Sequence, residues 1–185
     1  MRVAVYSGSF DPLHIGHLAI MRAVCGCGDF DALYLVVSPQ NPLKDSLKAE
    51  NADQRLRDAR EAMARHPELN VKVDDIEFGM SAPHYTIRTL DALREREPDN
   101  EFTLVIGADN LELLHRWKDS ERILHEYGVV VFPREACDSQ ATRRRMLEED
   151  PQRRIKLIDA PLVNISSTQI RKGLSEGKDM SKYMI

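Results

Sequence analysis

Two histidines stand three residues apart behind a Gly-Ser turn, close to the start of the chain. The segment reads GSFDPLHIGH over residues 8–17 and directly follows a short apolar run. A glycine after a buried strand lets a ligand approach the backbone, because no side chain stands in the way. The spacing puts His14 and His17 on one face of a helix, near its positive end. Backbone N–H groups, a helix dipole and two imidazoles together favour a polyphosphate ligand.

Two alternatives compete with a phosphate site. A zinc pair would need a third ligand, and the sequence supplies none at a recognisable spacing. A capped helix with two surface histidines is the other alternative. The Gly-Ser turn and Gly16 between the rings favour a functional site over it.

A second cluster of donors lies near the C-terminus, where residues 164–171 read NISSTQIR. Ser166, Ser167 and Thr168 at a helix start would present both N–H and O–H donors. Arg171, one turn later, lies on the same helix face as Ser167 and Thr168 and can donate two hydrogen bonds to phosphate oxygens. An ordinary helix cap is an equally good interpretation of this cluster taken alone.

Short apolar runs alternate with segments of helical periodicity along the whole chain. This pattern predicts a parallel sheet covered on both faces, in one doubly wound α/β domain over residues 1–185. Ligands of such sheets bind beyond the carboxyl ends of the strands, so we expect chemistry after Tyr6, Val37, Phe78, Ile106 and Ile158. The predicted strands are 2–6, 32–37, 71–78, 102–106, 129–132 and 155–158, and the predicted helices are 14–25, 51–66, 84–97, 109–117, 120–127, 139–149 and 166–174.

Composition excludes several classes of protein. The 185 residues carry a net charge of −4, which argues against a nucleic-acid-binding protein. No apolar run approaches the roughly 18 residues of a membrane span, and no secretory signal is visible. Three cysteines, an odd number, favour a reduced compartment, and we expect a cytoplasmic protein.

Together the motifs resemble the HxGH nucleotidyltransferase superfamily, and most closely its bacterial nicotinate-nucleotide adenylyltransferases. Beside the two motifs above, residues 81–86 (SAPHYT) and 106–111 (IGADNL), followed by Trp117, are similar to segments of that family. The resemblance implies a three-layer, Rossmann-like nucleotidyltransferase fold. It also implies transfer of the adenylyl group of ATP to nicotinate mononucleotide, giving the deamido form of NAD and pyrophosphate. Mg²⁺ is expected, held mainly by ATP phosphates, in a monomer or homodimer without a dedicated metal site.

The resemblance also assigns roles to particular residues. His14 and His17 would be catalytic. The residues implied for ATP are Gly8, Ser9, Phe10, His14, His17, Ile106, Gly107, Asp109, Ser166, Ser167, Thr168 and Arg171. The residues implied for nicotinate mononucleotide are Ser38, Lys44, Tyr85, Thr86 and Trp117. The loop around Lys44 departs from the family, because Leu43 stands where relatives have a histidine.

The residue types of the last group suit the nicotinate substrate. With Pro83 at the first helical position, Tyr85 and Thr86 would offer unpaired backbone N–H groups to a carboxylate. The face of Trp117 could stack on a pyridinium, although a half-buried core anchor is the rival interpretation. Two other functions remain open at this point. One is another HxGH enzyme, using CTP or a different phosphate ester as pantetheine-phosphate adenylyltransferase does, and the other is a nucleotide-binding module without turnover.

Overall fold

A computed structural model describes residues 1–39 and 51–185. The described residues form a six-stranded sheet in the order β3-β2-β1-β4-β5-β6, and every neighbouring pair is parallel. Its strands are β1 (Arg2–Gly8), β2 (Ala32–Val37), β3 (Val71–Asp74), β4 (Glu101–Gly107), β5 (Val129–Phe132) and β6 (Ile155–Leu157). Successive strands are added to one side of β1 as far as β3 and to its other side from β4 onwards. The crevice between β1 and β4, where this order switches, is the usual ligand site of such sheets.

Helices connect the strands and cover the sheet. They are α1 (Ile15–Gly26), α2 (Ala52–Ala64), α3 (Thr86–Arg96), α4 (Ala108–Leu113), α5 (Ser120–Arg122), α6 (Ser139–Glu149) and α7 (Ser167–Ser175). Among the described residues, no helix is both long enough and apolar enough to cross a membrane.

Alternate side chains of each central strand enter two separate cores. In β1, Val3 and Val5 pack on one face with residues of α3 and α4. Ala4 and Tyr6 pack on the other face with residues of α1 and α2. Burial on both faces explains why the strands are continuous apolar runs, since neither face has to be polar. The prediction of a doubly wound parallel sheet in three layers is confirmed.

The predicted boundaries fail mainly where polar residues interrupt a pattern. The third strand ends at Asp74 instead of Phe78, and a 3₁₀ turn occupies Ile76–Gly79. Asp74 causes this early end, because its carboxylate accepts the Ile76 N–H at 3.0 Å and so starts the turn. The helices predicted over 109–117 and 120–127 each change type, to a 3₁₀ turn at Leu114–Arg116 and a π-helical turn at Ile123–Tyr127.

Candidate active site

The two histidines form a reciprocal pair at the N-terminus of α1. His14 is the N-cap residue, and its Nδ1 accepts the Gly16 N–H at 3.1 Å. His17 Nδ1 in turn accepts the His14 N–H at 3.2 Å. The rings stack, with centroids 3.7 Å apart and planes inclined by 27°. A neutral imidazole whose Nδ1 accepts carries its proton on Nε2. Both rings are therefore held as Nε2–H donors.

The protein keeps both imidazoles uncharged. Burial, together with a smaller contribution from the positive charge of Arg134, lowers the pKa of His14 to about 4. Burial also holds the pKa of His17 well below its ordinary value, and His14 and Arg134 add to this effect. Two stacked rings could not both be charged without strong repulsion. At neutral pH the pair offers two N–H dipoles instead of two cations.

A cavity of about 630 Å³ opens beside these rings. The start of α1 lines it with His14, Gly16 and His17, and the start of α7 lines it with Ser166 and Ser167. The remaining lining comes from Ile20, from Asp109 after β4, from residues 132–135 after β5, and from residues 160–165 and Gln169. The structure thus brings the two donor clusters of the sequence to a single cleft.

Ser166 is the N-cap of α7, and it forms a capping box with Gln169. Ser166 Oγ accepts the Gln169 N–H at 3.2 Å, while Gln169 Oε1 accepts the Ser166 N–H at 2.8 Å. This exchange satisfies two of the groups that a helix start leaves free, and the positive end of the dipole still faces the cavity.

Arg134 was missed by sequence reasoning. It is the only Lys or Arg side chain among the described residues that line the cavity. It lies 5.0 Å above the Phe132 ring, and its Nε is 3.6 Å from the Asp109 carboxylate. The signal was available, since Pro133 and Arg134 come directly after the buried strand β5, but that loop was not among those expected to carry chemistry.

Gly107 lies beneath this ion pair. A Cβ at that position would collide with the Asp109 carboxylate and lie 3.1 Å from Arg134 Nε and from the Phe132 ring. Only a glycine leaves room here for both side chains to stand at the mouth of the cavity. Ile106, the residue before it, is buried in the core, so it supports the site without lining the cavity.

The loop between β1 and α1 is held in place by α7. Arg171 Nη1 donates to the Asp11 carbonyl and lies 3.6 Å from its carboxylate, while Nη2 donates to Thr168 Oγ1 at 3.1 Å. Ser167 Oγ donates to the Pro12 carbonyl at 3.0 Å. Neither Thr168 nor Arg171 lines the cavity. The structure shows them fixing the loop that precedes the histidines.

Gly8, Ser9 and Phe10, which were also predicted to bind ATP, lie at the end of β1 and in the loop that precedes the histidines. Phe10 is buried and has a left-handed φ of 44°, and its ring meets the His17 ring edge-on at 5.1 Å. Gly8 allows this packing, because a Cβ there would lie 3.1 Å from the Phe10 ring. Ser9 contributes its carbonyl, which accepts a hydrogen bond from Arg55. None of the three lines the cavity.

Of the residues predicted for nicotinate mononucleotide, the four that the structure describes do not line this cavity. Tyr85 is the N-cap of α3 and Thr86 its first residue. Trp117 is half-buried against the core on the α3 and α4 face of the sheet. Ser38 is buried just beyond β2, and its N–H donates to the Gly8 carbonyl at 2.9 Å. Lys44, like Leu43, falls outside the described residues.

One expectation about these residues is wrong. The Tyr85 N–H is not free, because it donates to the Pro83 carbonyl at 3.0 Å. Pro83 lies three residues before the first residue of the helix instead of at that position. The guanidinium of Arg88 donates a hydrogen bond to the Pro83 carbonyl at 2.7 Å. The N–H groups that α3 presents at its start therefore begin at Thr86.

The described carboxylates do not form a metal cage in the cavity. Asp109 and Glu135 are the acidic residues of its described lining, and Asp109 is paired with Arg134. A group with ligand-like spacing, Glu121, His125 and Asp150, lies elsewhere, and its members are already tied to one another and to Arg153.

The chain is similar to known proteins in sequence and in fold. A family model described as cytidylyltransferase-like matches residues 5–173. A relative from Flavobacterium johnsoniae is 38% identical over 184 residues, covering 100% of this chain and 92% of its own. One from Bacteroides thetaiotaomicron is 35% identical and covers 100% and 87%. Both bear the name "Probable nicotinate-nucleotide adenylyltransferase".

A solved structure shares the fold at lower sequence identity. It is that of Plasmodium falciparum nicotinic acid mononucleotide adenylyltransferase complexed with NaAD. The TM-score is 0.80 at 19% identity, over 99% of this chain and 90% of the other. Because the family model spans most of the chain and the relatives align along its full length, the chain belongs to the cytidylyltransferase-like family and, within it, to the nicotinate-nucleotide adenylyltransferases.

Proposed function

We propose that this protein transfers the adenylyl group of ATP to nicotinate mononucleotide, forming nicotinate adenine dinucleotide and pyrophosphate for NAD biosynthesis. The observation that carries the proposal is the single cleft lined by His14 and His17, whose Nδ1 atoms both accept backbone N–H groups, and by the N-terminus of α7. Membership of the nicotinate-nucleotide adenylyltransferases supports the choice of both substrates. Three free cysteines support a reducing compartment, and we place the reaction in the cytoplasm.

The reaction is an in-line displacement at the α-phosphorus of ATP. A phosphate oxygen of the mononucleotide forms the new P–O bond, while the bond to the bridging α,β-oxygen breaks and its electron pair leaves with pyrophosphate. A phosphate ester is already anionic near pH 7, so the attack needs no strong general base. Catalysis then consists of positioning the two phosphates and stabilising the charge that grows on the leaving group.

Neutral N–H donors suit this task. In our proposal His17 donates from Nε2 to the α-phosphate and its transition state, and His14 donates to the neighbouring ATP phosphates. Donors that are fixed before the substrate arrives need no reorganisation as charge develops. The stacked rings and their two backbone hydrogen bonds provide this fixation.

The β and γ phosphates would meet Ser166, Ser167 and the N-terminus of α7. Arg134 supplies the positive charge that the uncharged histidines do not. Arg171 commits two of its five N–H groups to Asp11 and Thr168. We retain the prediction that its other donors contact the phosphates.

Adenosine would bind where β4 ends. Gly107 leaves room for the base to approach the backbone, and the Asp109 carboxylate can accept hydrogen bonds from ribose hydroxyls. Ile106, which is buried in the core, would fix the backbone at the end of β4 where adenosine binds.

The residues of the cavity fit a magnesium ion that arrives with ATP. Since Asp109 is paired with Arg134, phosphate oxygens and water would supply most of its ligands, as is usual for Mg²⁺. When bound, the ion neutralises phosphate charge. The residues of the cavity would hold the phosphates to which the magnesium ion is bound.

Nicotinate mononucleotide would lie on the α3 and α4 face of the sheet. There the N-terminus of α3 at Thr86 would accept the nicotinate carboxylate, and Trp117 would stack on the pyridinium. Ser38 and Lys44 would contact its phosphate. A helix N-terminus prefers this carboxylate to the neutral amide of nicotinamide mononucleotide, so the deamido substrate should react faster.

A single assay tests the proposal. Pyrophosphate release is measured with MgATP and, in turn, nicotinate mononucleotide, nicotinamide mononucleotide and phosphopantetheine, with MgCTP as the control nucleotide. We expect release with ATP and nicotinate mononucleotide far above the other pairs. Preference for phosphopantetheine or CTP would assign the protein to another enzyme of the superfamily. Tight ATP binding without release in any pair would make it a nucleotide-binding module.

A further inference from the structure

Arg55 on α2 is a buried arginine whose hydrogen bonds reach the ends of two strands. Its exposed fraction is 7%. Its Nη1 donates to the carbonyls of Ser9 and Ser38, and its Nη2 donates to the carbonyl of Pro39 at 3.0 Å. One guanidinium thus joins the loop after β1 to the loop after β2.

The local energetics do not favour a cation at this place. Burial lowers the pKa of Arg55, which means that the site disfavours the charged form. The residue stands about one turn into α2, where the helix dipole repels positive charge. Within residues 1–39 and 51–185, no carboxylate lies within ion-pairing distance of it, and Asp11 is the acidic residue whose charge acts on it. A buried charge held by carbonyls in this way points to a role beyond the stability of the helix.

The two loops that Arg55 joins belong to different substrates in the proposed function, on which this inference rests. Ser9 belongs to the turn that leads to His14, beside the ATP cavity. Ser38 is itself proposed to contact the mononucleotide phosphate, and Pro39 follows it in the same loop. We propose that Arg55 is a positioning residue, which fixes the distance between the attacking phosphate and the α-phosphorus of ATP.

The first loop does not depend on Arg55 alone. Arg171 and Ser167 hold Asp11 and Pro12 from α7, on the side of the cavity. Loss of Arg55 should therefore leave the affinity for ATP nearly unchanged. It should alter only the position of the loop after β2 relative to the loop after β1. Misplacement of reacting groups by about 1 Å can cost on the order of 10²-fold in rate.

Arg55→Lys is the informative variant, because an ammonium keeps the charge but cannot reproduce a planar fork onto three carbonyls. Arg55→Gln removes the charge as well. Arg57→Lys is the matched control, since Arg57 is exposed on the same helix and its Nη2 donates to Gln54 Oε1 on that helix. For all three we would measure thermal unfolding, the Kd of ATP by calorimetry without the second substrate, and kcat and KM for nicotinate mononucleotide.

We expect Arg55→Lys to lower kcat by about 10–100-fold while the Kd of ATP changes by less than about threefold. Arg57→Lys should match the wild type in every measurement. The proposal is overturned if kcat of the folded Arg55 variants stays within about twofold of wild type. It is also overturned if ATP binding and turnover fall together in proportion to the folded fraction, or if both Arg55 variants fail to fold, because Arg55 would then serve stability alone.

A second measurement separates this inference from the proposed function. Amide hydrogen exchange of peptides covering residues 5–12 and 34–39 reports on the two loops whether or not the enzyme turns over. Faster exchange in both peptides of Arg55→Lys, but not of Arg57→Lys, supports the coupling even if the substrate assignment is wrong. Unchanged exchange would refute it even if the wild type is a fast adenylyltransferase.

Discussion

Gly16 separates the two histidines, and its replacement by alanine tests whether their geometry controls turnover. A Cβ on Gly16 would lie 2.9 Å from His14 Cε1 and 3.0 Å from His14 Nδ1. Ordinary carbon–carbon contacts are about 3.5–4.0 Å, so the ring must retreat by roughly 0.6 Å or more. It cannot do so without loosening its stack on His17 and its hydrogen bond from the Gly16 N–H.

The expected effect on rate follows from this displacement. A shift of somewhat less than 1 Å in a phosphate donor should lower kcat by about 10–100-fold. The fold should change little, because alanine in a helix is favoured over glycine by about 0.5–1 kcal/mol, which offsets part of the steric cost.

Gly26→Ala is the matched control for this experiment. Gly26 is the last residue of the same helix, and a Cβ there would meet nothing within 4 Å. Initial rates of pyrophosphate release and thermal unfolding would be compared for the two variants. The geometric argument fails if Gly16→Ala turns over within about twofold of Gly26→Ala while both are folded.

The remaining predictions concern residues around the two substrates. His17→Ala should lower kcat by about 10²–10³-fold, the scale for loss of one transition-state donor, and near wild-type turnover would refute its role. Trp117→Ala should raise KM for the pyridine mononucleotide and spare KM for ATP, whereas equal effects on both would favour a core anchor. Histidine NMR of the free protein should show His14 neutral at pH 5.5, since its pKa is lowered to about 4. In Arg134→Met that pKa should rise, because the Arg134 charge is one cause of its depression, and an unchanged midpoint would contradict this cause.

The histidine pKa also affects stability, with a definite sign. The ordinary histidine pKa of about 6.5 describes the unfolded chain, and the folded value is lower. Between these values the unfolded chain binds more protons than the folded protein. The contribution of His14 therefore destabilises the fold as pH falls from about 6.5 towards about 4, and has no effect well above that range.

The sheet was predictable because its strands are buried on both faces. Continuous apolar runs such as residues 32–37 and 129–132 leave little ambiguity, and the observed strands match them. The residues between 71 and 85 were harder to predict. The Asp74 carboxylate accepts one backbone N–H in this segment, and Arg88 donates to the carbonyls of Ser81 and Pro83. No periodicity of the sequence signals such contacts.

The candidate site was predictable in its motifs and less so in its connections. The positions of His14, His17 and Ser166 at helix starts follow from local sequence, because capping is a local interaction. The contacts of Arg171 with Asp11 and of Arg55 with Ser38 join residues far apart in sequence, and only the folded chain reveals them.

In the candidate site, positive charge and N–H donors come from different residues: Arg134 carries the charge, and the neutral rings of His14 and His17 are the donors. If both stacked rings were protonated, their mutual repulsion and that of Arg134 would weaken the N-terminus of α1 before any substrate bound. As neutral donors they can lie in van der Waals contact and still offer one N–H group each to neighbouring phosphates of ATP. The positive charge needed to attract a polyanion is left to Arg134, which is exposed at the mouth of the cavity and stays hydrated. Attraction and transition-state stabilisation are thereby assigned to different residues, so that loss of Arg134 should weaken ATP binding more than it slows the chemical step.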